Sequence, residues 1–196
     1  MKVSKRRQRF LQESLKLIHE KGFNATSMRD IAEHMQFEVA NIYNYIESKQ
    51  SLLETFLFGI SNEFHEGILS IIEAKLRPKE KLSALIDLHI RLTASKPYEV
   101  ALLVNEWRHL QEPRLSEFIK EREIYEDYVR QIIKAGMDNG DIRKMDLDIA
   151  NHMVLSSVRW LYSWYTSHSH PIDPKMLEQQ ITAFIWRGLA QNPLDE

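Results

Sequence analysis

Apolar residues recur along the chain at intervals of three and four, and strand-like alternation is nearly absent, so the sequence predicts an all-α protein of about nine helices. The first helix runs from about Ser4 to Lys21 with Phe10, Leu11, Leu15, Leu17 and Ile18 apolar, and Gly22 follows as a residue able to take positive φ past the helix end. Thr26 or Ser27 caps a short second helix through Met28, Ile31, Ala32 and Met35; with Ser27 as the cap, Asp30 completes a capping box. A brief turn follows His34-Met35-Gln36. Beyond it Val39, Ile42, Tyr43 and Ile46 fall on one arc of a third short helix, opposite Ala40, Asn41, Asn44 and Tyr45. Ser48 caps a fourth helix of roughly seven turns, with Leu52, Leu53, Phe56, Leu57, Ile60, Phe64 and Ile68 apolar, running to Pro78. Further helices are expected over Lys79 to Ser95, Tyr98 to Leu110, Arg114 to Met137, Asp146 to Ser167 and Pro174 to Ala190. Pro97, Pro113, Gly140 and the stretch from His168 to Pro174 punctuate them.

Composition narrows the class. With 196 residues the chain can bury a sizeable core, and the absence of Cys removes disulfides, thiol nucleophiles and Cys-ligated metal centres. No apolar run approaches the roughly 18 residues that span a bilayer, and the basic start runs into FLQESLKLIHEKG, too polar for a signal-peptide core. The chain therefore reads as a soluble, unprocessed protein of the cytoplasm. Its net charge of −2 is unevenly spread: residues 1–50 hold nine Lys/Arg against six Asp/Glu, and residues 51–196 hold 17 against 22. Lys2, Lys5, Arg6, Arg7 and Arg9 come with no anion among them, a pattern that suits either phosphate contact or a solvated terminus.

Two short helices joined by about three turn residues, the second presenting small and amide side chains, match the helix-turn-helix plan for entry into a major groove. Ala40 leaves room for close approach, and Asn41 and Asn44 carry the amide that pairs with an adenine edge. Tyr43 and Tyr45 offer hydroxyls to phosphate, and Lys49 sits at the next helix start, where backbone N–H groups also face an anion. A small three-helix subdomain with a solvated polar face satisfies the same spacing.

The run from Gly22 to Glu33 (GFNATSMRDIAE) and the run from Asn41 to Leu53 (NIYNYIESKQSLL) resemble the TetR family of bacterial transcriptional regulators over about residues 5–55. The resemblance implies a homodimeric repressor whose N-terminal helices bind duplex DNA and whose C-terminal helices bind a small molecule that releases it. By position it places Thr26, Ser27, Tyr43, Tyr45 and Lys49 on phosphate contacts and Ala40, Asn41 and Asn44 on the base-facing surface, with Arg29 also among the DNA-binding residues. Two positions depart from the family pattern: Gln36 stands where a turn Gly is usual and Glu38 where a small hydroxyl residue is usual. A left-handed Gln36 costs on the order of 1 kcal/mol relative to Gly, and Glu38 is a weaker N-cap than Ser.

Aromatic residues concentrate beyond Leu52, and with the resemblance they point to a ligand cavity among Phe64, Trp107, Tyr125, Tyr128, Trp160 and Trp164, with His89, Arg108 and Arg159 as polar members. Arg159 is a cation inside an otherwise apolar run, suited to a local carboxylate or to an acidic ligand group. The stretch Asn105 to His109, with the run from Ser156 to Tyr165, resembles family members that sense acyl-CoA thioesters. For dimerisation, Met153 and Ser157 on one helix and Leu177, Ile181, Phe184 and Gly188 on the next would form an isologous four-helix interface, matching a palindromic operator. Both faces would equally complete a monomer core.

No HExxH, Walker A, GxGxxG or GxSxG signature is present, so neither an enzyme nor a cofactor is expected. His168 and His170 near Asp173 read as a solvated loop rather than a metal site. The expected division is a DNA-binding domain over 1–47 and a ligand-binding and dimerisation domain over 48–196. A small-molecule carrier with a structural N-terminal unit is the alternative, separable by the salt dependence of DNA binding.

Overall fold

The computed structural model describes residues 5–167 and 172–191, and these residues are helical with a single isolated bridge between Ile142 and Ala190. Lys2, His168 and His170 lie outside them. The helices are α1 (Lys5–Lys21), α2 (Met28–Met35), α3 (Val39–Ile42), α4 (Lys49–Glu73), α5 (Pro78–Ser95), α6 (Pro97–Asn105), α7 (Arg114–Asp138), α8 (Leu147–Arg159), α9 (Leu161–Ser167) and α10 (Pro174–Leu189). All nine expected helices are present, the eighth in two pieces. The indole of Trp160 donates to the Ser157 carbonyl (2.8 Å), which is the acceptor Leu161 would use in an unbroken helix, and α8 stops there. The expected sixth helix is also shortened, giving way after Asn105 to a single 3₁₀ turn over Trp107–His109. Pro78 and Pro97 open helices rather than precede them, and Pro174 opens α10 as expected, because proline at the first helical position gives up an N–H that would have had no partner.

The chain divides into two compact units. The first comprises residues 1–61 and 98–119, the second residues 62–97 and 120–196. This partition differs from the division of function expected at residue 47. The first half of α4, with α6 and the start of α7, shares the core built by α1 to α3: Leu52, Leu53, Phe56, Leu102, Leu110 and Phe118 are buried in one cluster with Phe10, Ile18, Phe23, Ile31 and Ile42. Continuity of that apolar cluster, not sequence adjacency, sets the unit. In the second unit α5 packs along α10 and meets α8 and α9, and its core includes Leu82, Leu85, Ile86, Val154, Leu155, Ile185 and Leu189. No described helix is long and apolar enough to cross a membrane.

Candidate functional site

In the first unit, local chemistry builds the two-helix motif. Ser27 caps α2 by accepting from the Asp30 backbone N–H (3.1 Å), and the Asp30 carboxylate accepts from the Ser27 N–H (2.8 Å) and from its hydroxyl. These hydrogen bonds from Ser27, with Lys21 nearby, hold the Asp30 carboxyl at about 2, below its ordinary 3.8. The folded value is the lower one, so this contribution to stability is complete above about pH 4 and is lost as the pH falls towards 2. Between those limits wild-type stability should fall more steeply than that of Asp30→Asn, as followed by chemical denaturation at each pH; parallel curves would contradict it.

Gln36 ends α2 in the left-handed conformation (φ 58°, ψ 41°) and is the only non-glycine residue at positive φ among those described. Glu38 precedes α3 in extended backbone and makes no side-chain cap. Both departures from the family pattern are thus built into the turn. Gln36→Gly should stabilise the protein by about 1 kcal/mol, since glycine takes this conformation without a Cβ penalty, and Glu38→Ser should add a cap worth a similar amount. Thermal unfolding of the single variants reads both; a lower midpoint for Gln36→Gly would show that the side chain, not the backbone, matters there.

Helix α3 is shorter than the expected run to Ile46. After Ile42 the chain tightens, with Asn44 N–H donating to Asn41 O (3.3 Å) and Tyr45 N–H to Ile42 O (2.8 Å). Three residues per turn places Tyr45 over the buried Ile42, and the roles expected for the two tyrosines exchange. Tyr45 is half-buried, stacked on Phe10 at 5.4 Å, whereas Tyr43 is 53% exposed. Arg29, Ala40, Asn41 and Asn44 are exposed as well. Ala40, Asn41, Tyr43 and Asn44 form an exposed, uncharged edge that their own unit does not cover. Lys5, Arg6, Arg7 and Arg9 fall on the opening turns of α1, where no acid is present. Cations at a helix N-terminus oppose its dipole, a cost that a nearby anion offsets.

Two expected phosphate contacts are committed elsewhere. Thr26 is fully buried, its hydroxyl donating to the Gly22 carbonyl (2.9 Å). Lys49 Nζ donates to the carbonyls of Phe23 (3.0 Å) and Thr26 (2.9 Å) and sits 4.4 Å from the centre of the Phe23 ring. On the other side of this turn the His109 imidazole stacks on Phe23 (5.7 Å) and meets Asn24 Nδ2 at its Nδ1 (3.2 Å) and Glu106 at its Nε2 (3.3 Å). Gln50 Nε2 donates to the His109 carbonyl (2.9 Å). The α1–α2 turn, the start of α4 and the 3₁₀ turn are thereby tied at one junction. Sequence reasoning missed this role of His109, for which no local pattern gives a signal.

The expected ligand residues separate. Phe64, His89, Tyr125, Tyr128, Arg159, Trp160 and Trp164 belong to the second unit, while Trp107 and Arg108 belong to the first. There Trp107 stacks on the core residue Phe118 (6.4 Å) and carries the Arg108 guanidinium on its ring (4.5 Å). Trp160 is 44% exposed at the end of α8, edge-on to Trp164. A compact cluster remains. His89 Nε2 and the Tyr125 hydroxyl are 2.8 Å apart, the Phe64 ring lies 4.8 Å from His89, and the His65 ring lies 5.5 Å from Tyr125. Burial, with Arg159 as a lesser cause, lowers the His89 imidazole to about 3, and burial raises the Tyr125 phenol. Both side chains are held neutral. Arg159 faces Glu126 at 3.8 Å, and Glu126 also meets Arg130 at 3.6 Å. His65 was not singled out in the sequence. Nor was Asn151, fully buried with neither amide atom hydrogen-bonded among the described residues, although a polar residue in an apolar helical stripe is a signal that periodicity can reveal.

The expected dimer residues also divide. Leu177 and Ile181 are buried in their own unit, because they share the α10 stripe with Ile185 and Leu189. Phe184 is 75% and Met153 56% exposed, Gly188 is exposed, and Ile149 (57%) joins them. Ser157 is half-buried, its hydroxyl returned to Met153 O (2.7 Å).

A capped helix, a tight turn and a short exposed second helix on a three-helix head with a basic start, followed by a separate helical unit holding a half-buried polar cluster, define a helix-turn-helix regulator with a sensing domain. Residues 10–56 match the model of bacterial regulatory proteins of the tetR family, and residues 75–189 match that of the tetracyclin repressor-like C-terminal domain. The chain belongs to the TetR family. It is a ligand-responsive DNA-binding transcriptional regulator, and this decides against the carrier alternative. The transcriptional repressor KstR2 of Mycolicibacterium smegmatis is 22% identical over 97% of this chain and 94% of its own. The structure of the ketosteroid transcriptional regulator KstR2 of Mycobacterium tuberculosis superposes with a TM-score of 0.89 at 21% identity, covering 97% of this chain and 98% of that one. AibR, solved in complex with isovaleryl coenzyme A and operator DNA, has a TM-score of 0.79 at 22% identity over 93% of this chain and 98% of its own.

Proposed function

We propose that the protein is a repressor that binds a palindromic operator as a homodimer in the cytoplasm and is released by a small apolar or amphipathic effector. The observation that carries this reading is the exposed edge of Ala40, Asn41, Tyr43 and Asn44, free of its own unit and shaped for a major groove. Ser27, Arg29, Tyr43 and the cations of α1 are assigned to the phosphates flanking it. Ile149, Met153, Trp160 and Phe184, with the exposed Gly188, are assigned to the dimer contact, since large apolar side chains exposed on and at the end of two helices that pack together are costly to leave in water.

The effector is assigned to the second unit, around Phe64, His89, Tyr125 and Arg159. An acyl-CoA is the class suggested by the crystallised AibR complex, together with the cation at Arg159. Helix α4 carries Lys49 at its start and Phe64 and His65 further along. An effector that binds one position of this helix better than another shifts the population and with it the spacing of the two reading heads.

Selection of bound duplexes from a random pool tests the reading. An enriched palindrome whose affinity falls steeply with salt supports it, with Asn41→Ala and Asn44→Ala relaxing sequence choice. No enrichment over the input pool would overturn it.

A further inference from the structure

The pair formed by His89 and Tyr125 is hydrogen-bonded within itself, and neither side chain has another hydrogen-bond partner among the described residues. Whichever of the two donates across the 2.8 Å contact, the pair has one donor and one acceptor left over and no net charge. If the phenol donates, His89 keeps an N–H at Nδ1 and Tyr125 keeps its oxygen lone pairs. If Nε2 donates, Nδ1 is the acceptor and the phenol O–H is free. Both residues retain surface that protein does not touch, although their surroundings are dry enough to hold the imidazole neutral. The open part of the pair is its accessible side. Phe64 and His65 supply aromatic walls beside it.

Arg159 completes the arrangement. It is 41% exposed, its one ion pair among the described residues is long at 3.8 Å, and the Glu126 that makes it is shared with Arg130. Arg130 in turn has Asp127 and Asp148 at 2.8 Å, so Glu126 can turn to Arg130 when an incoming anion takes Arg159.

We propose that this cluster reads an uncharged oxygen of the effector, a carbonyl or hydroxyl carried on an apolar body, while an acidic group of the same molecule pairs with Arg159. The effector class is thus an oxygenated amphipathic acid rather than a plain hydrocarbon acid. A carboxylate at His89 would find no cation on the pair itself, whereas a neutral oxygen satisfies the spare donor directly. The proposal rests on the reading of the second unit as the effector domain.

The test is calorimetric titration of the full-length protein with dodecanoate and its monohydroxy and mono-oxo positional isomers, each as free acid and as CoA thioester. At least one oxygenated isomer should bind tenfold or more tighter than its unsubstituted parent. Tyr125→Phe should weaken the preferred oxygenated isomer by a larger factor than its parent, reducing that advantage to within about threefold, because the unsubstituted chain has no oxygen to pair with the hydroxyl. Arg159→Gln should weaken parent and oxygenated isomer alike. Comparison of the two series tells whether carboxylate or CoA phosphates provide the anion. The proposal falls if the parent binds as tightly as every isomer, if Tyr125→Phe weakens both equally, or if no member binds. Should Tyr125→Phe fail to fold, the isomer preference of the wild type decides. Duplex binding by the same preparation is measured separately, so loss of this inference with operator binding intact leaves the regulator reading standing.

Discussion

Phe184→Glu is expected to convert a dimer into a folded monomer and to lower operator affinity by at least a hundredfold. Phe184 is 75% exposed on α10, and α8, which packs against α10, exposes Ile149 and Met153. In an isologous interface each substitution appears twice, so two carboxylates would be driven into an apolar contact. Each partly desolvated charge costs a few kcal/mol, and every 1.4 kcal/mol is tenfold in association. Operator affinity follows because a palindrome read by one head loses the second set of contacts. Sedimentation at micromolar concentration, with helicity checked by circular dichroism, reads the outcome. Leu177→Ala is the control from the same helix: Leu177 is buried in its own unit, so the change should cost about 2–5 kcal/mol of stability through a core cavity without splitting the dimer first. An unchanged dimer for Phe184→Glu would remove α10 from the interface.

Lys49→Met should lower both thermal stability and operator affinity, and the two effects distinguish its role. A lysine that only touches phosphate would, on removal, reduce the salt slope by about one and leave the melting temperature alone. The structure gives Lys49 two carbonyl acceptors and the Phe23 ring, all part of the turn that leads into α2. Hydrogen bonds from a charged donor contribute about 1.5–3 kcal/mol, and two carbonyls lose this donor at once, that of Phe23 keeping only the Thr26 N–H. A loss of about 2 kcal/mol corresponds to a drop of about 4–8 °C in a domain of this size. Operator affinity should fall about tenfold or more, since the α1–α2 turn positions the reading helix, with little change in the salt slope. Lys49→Arg should restore only part, because the planar fork does not reproduce the ammonium's place between two carbonyls and a ring face. A normal melting temperature with a reduced slope would return Lys49 to direct phosphate contact.

The parts of the fold that were legible in the sequence are those set by neighbours within one or two turns. The capping box needs only Ser27 and Asp30, three residues apart, and the strained turn only the identity of Gln36, so both could be anticipated without tertiary information. The helical stripes showed which faces are apolar but not what covers each. Leu177, Ile181 and Phe184 look alike in sequence, and the packing of α5 and α8 against α10 buries the first two and leaves the third in water.

The same limit applies at the sites. Periodicity extended past Ile42 exchanges Tyr43 and Tyr45, because the tightened hydrogen bonding that rotates them belongs to the turn and is not encoded in spacing. Trp107 and Trp160 carry the composition of pocket residues, but one packs on a core phenylalanine and the other caps a helix break.

Helix content, the helix-turn-helix order and its caps were therefore determined by the sequence alone, since backbone hydrogen bonds and short-range side-chain contacts act between residues close along the chain. Tertiary structure decided what Lys49 holds, 23 to 26 positions away, and that His89 meets Tyr125 across 36. Such contacts depend on which helices pack together. That is settled by the summed burial of many side chains, so no single residue type announces it.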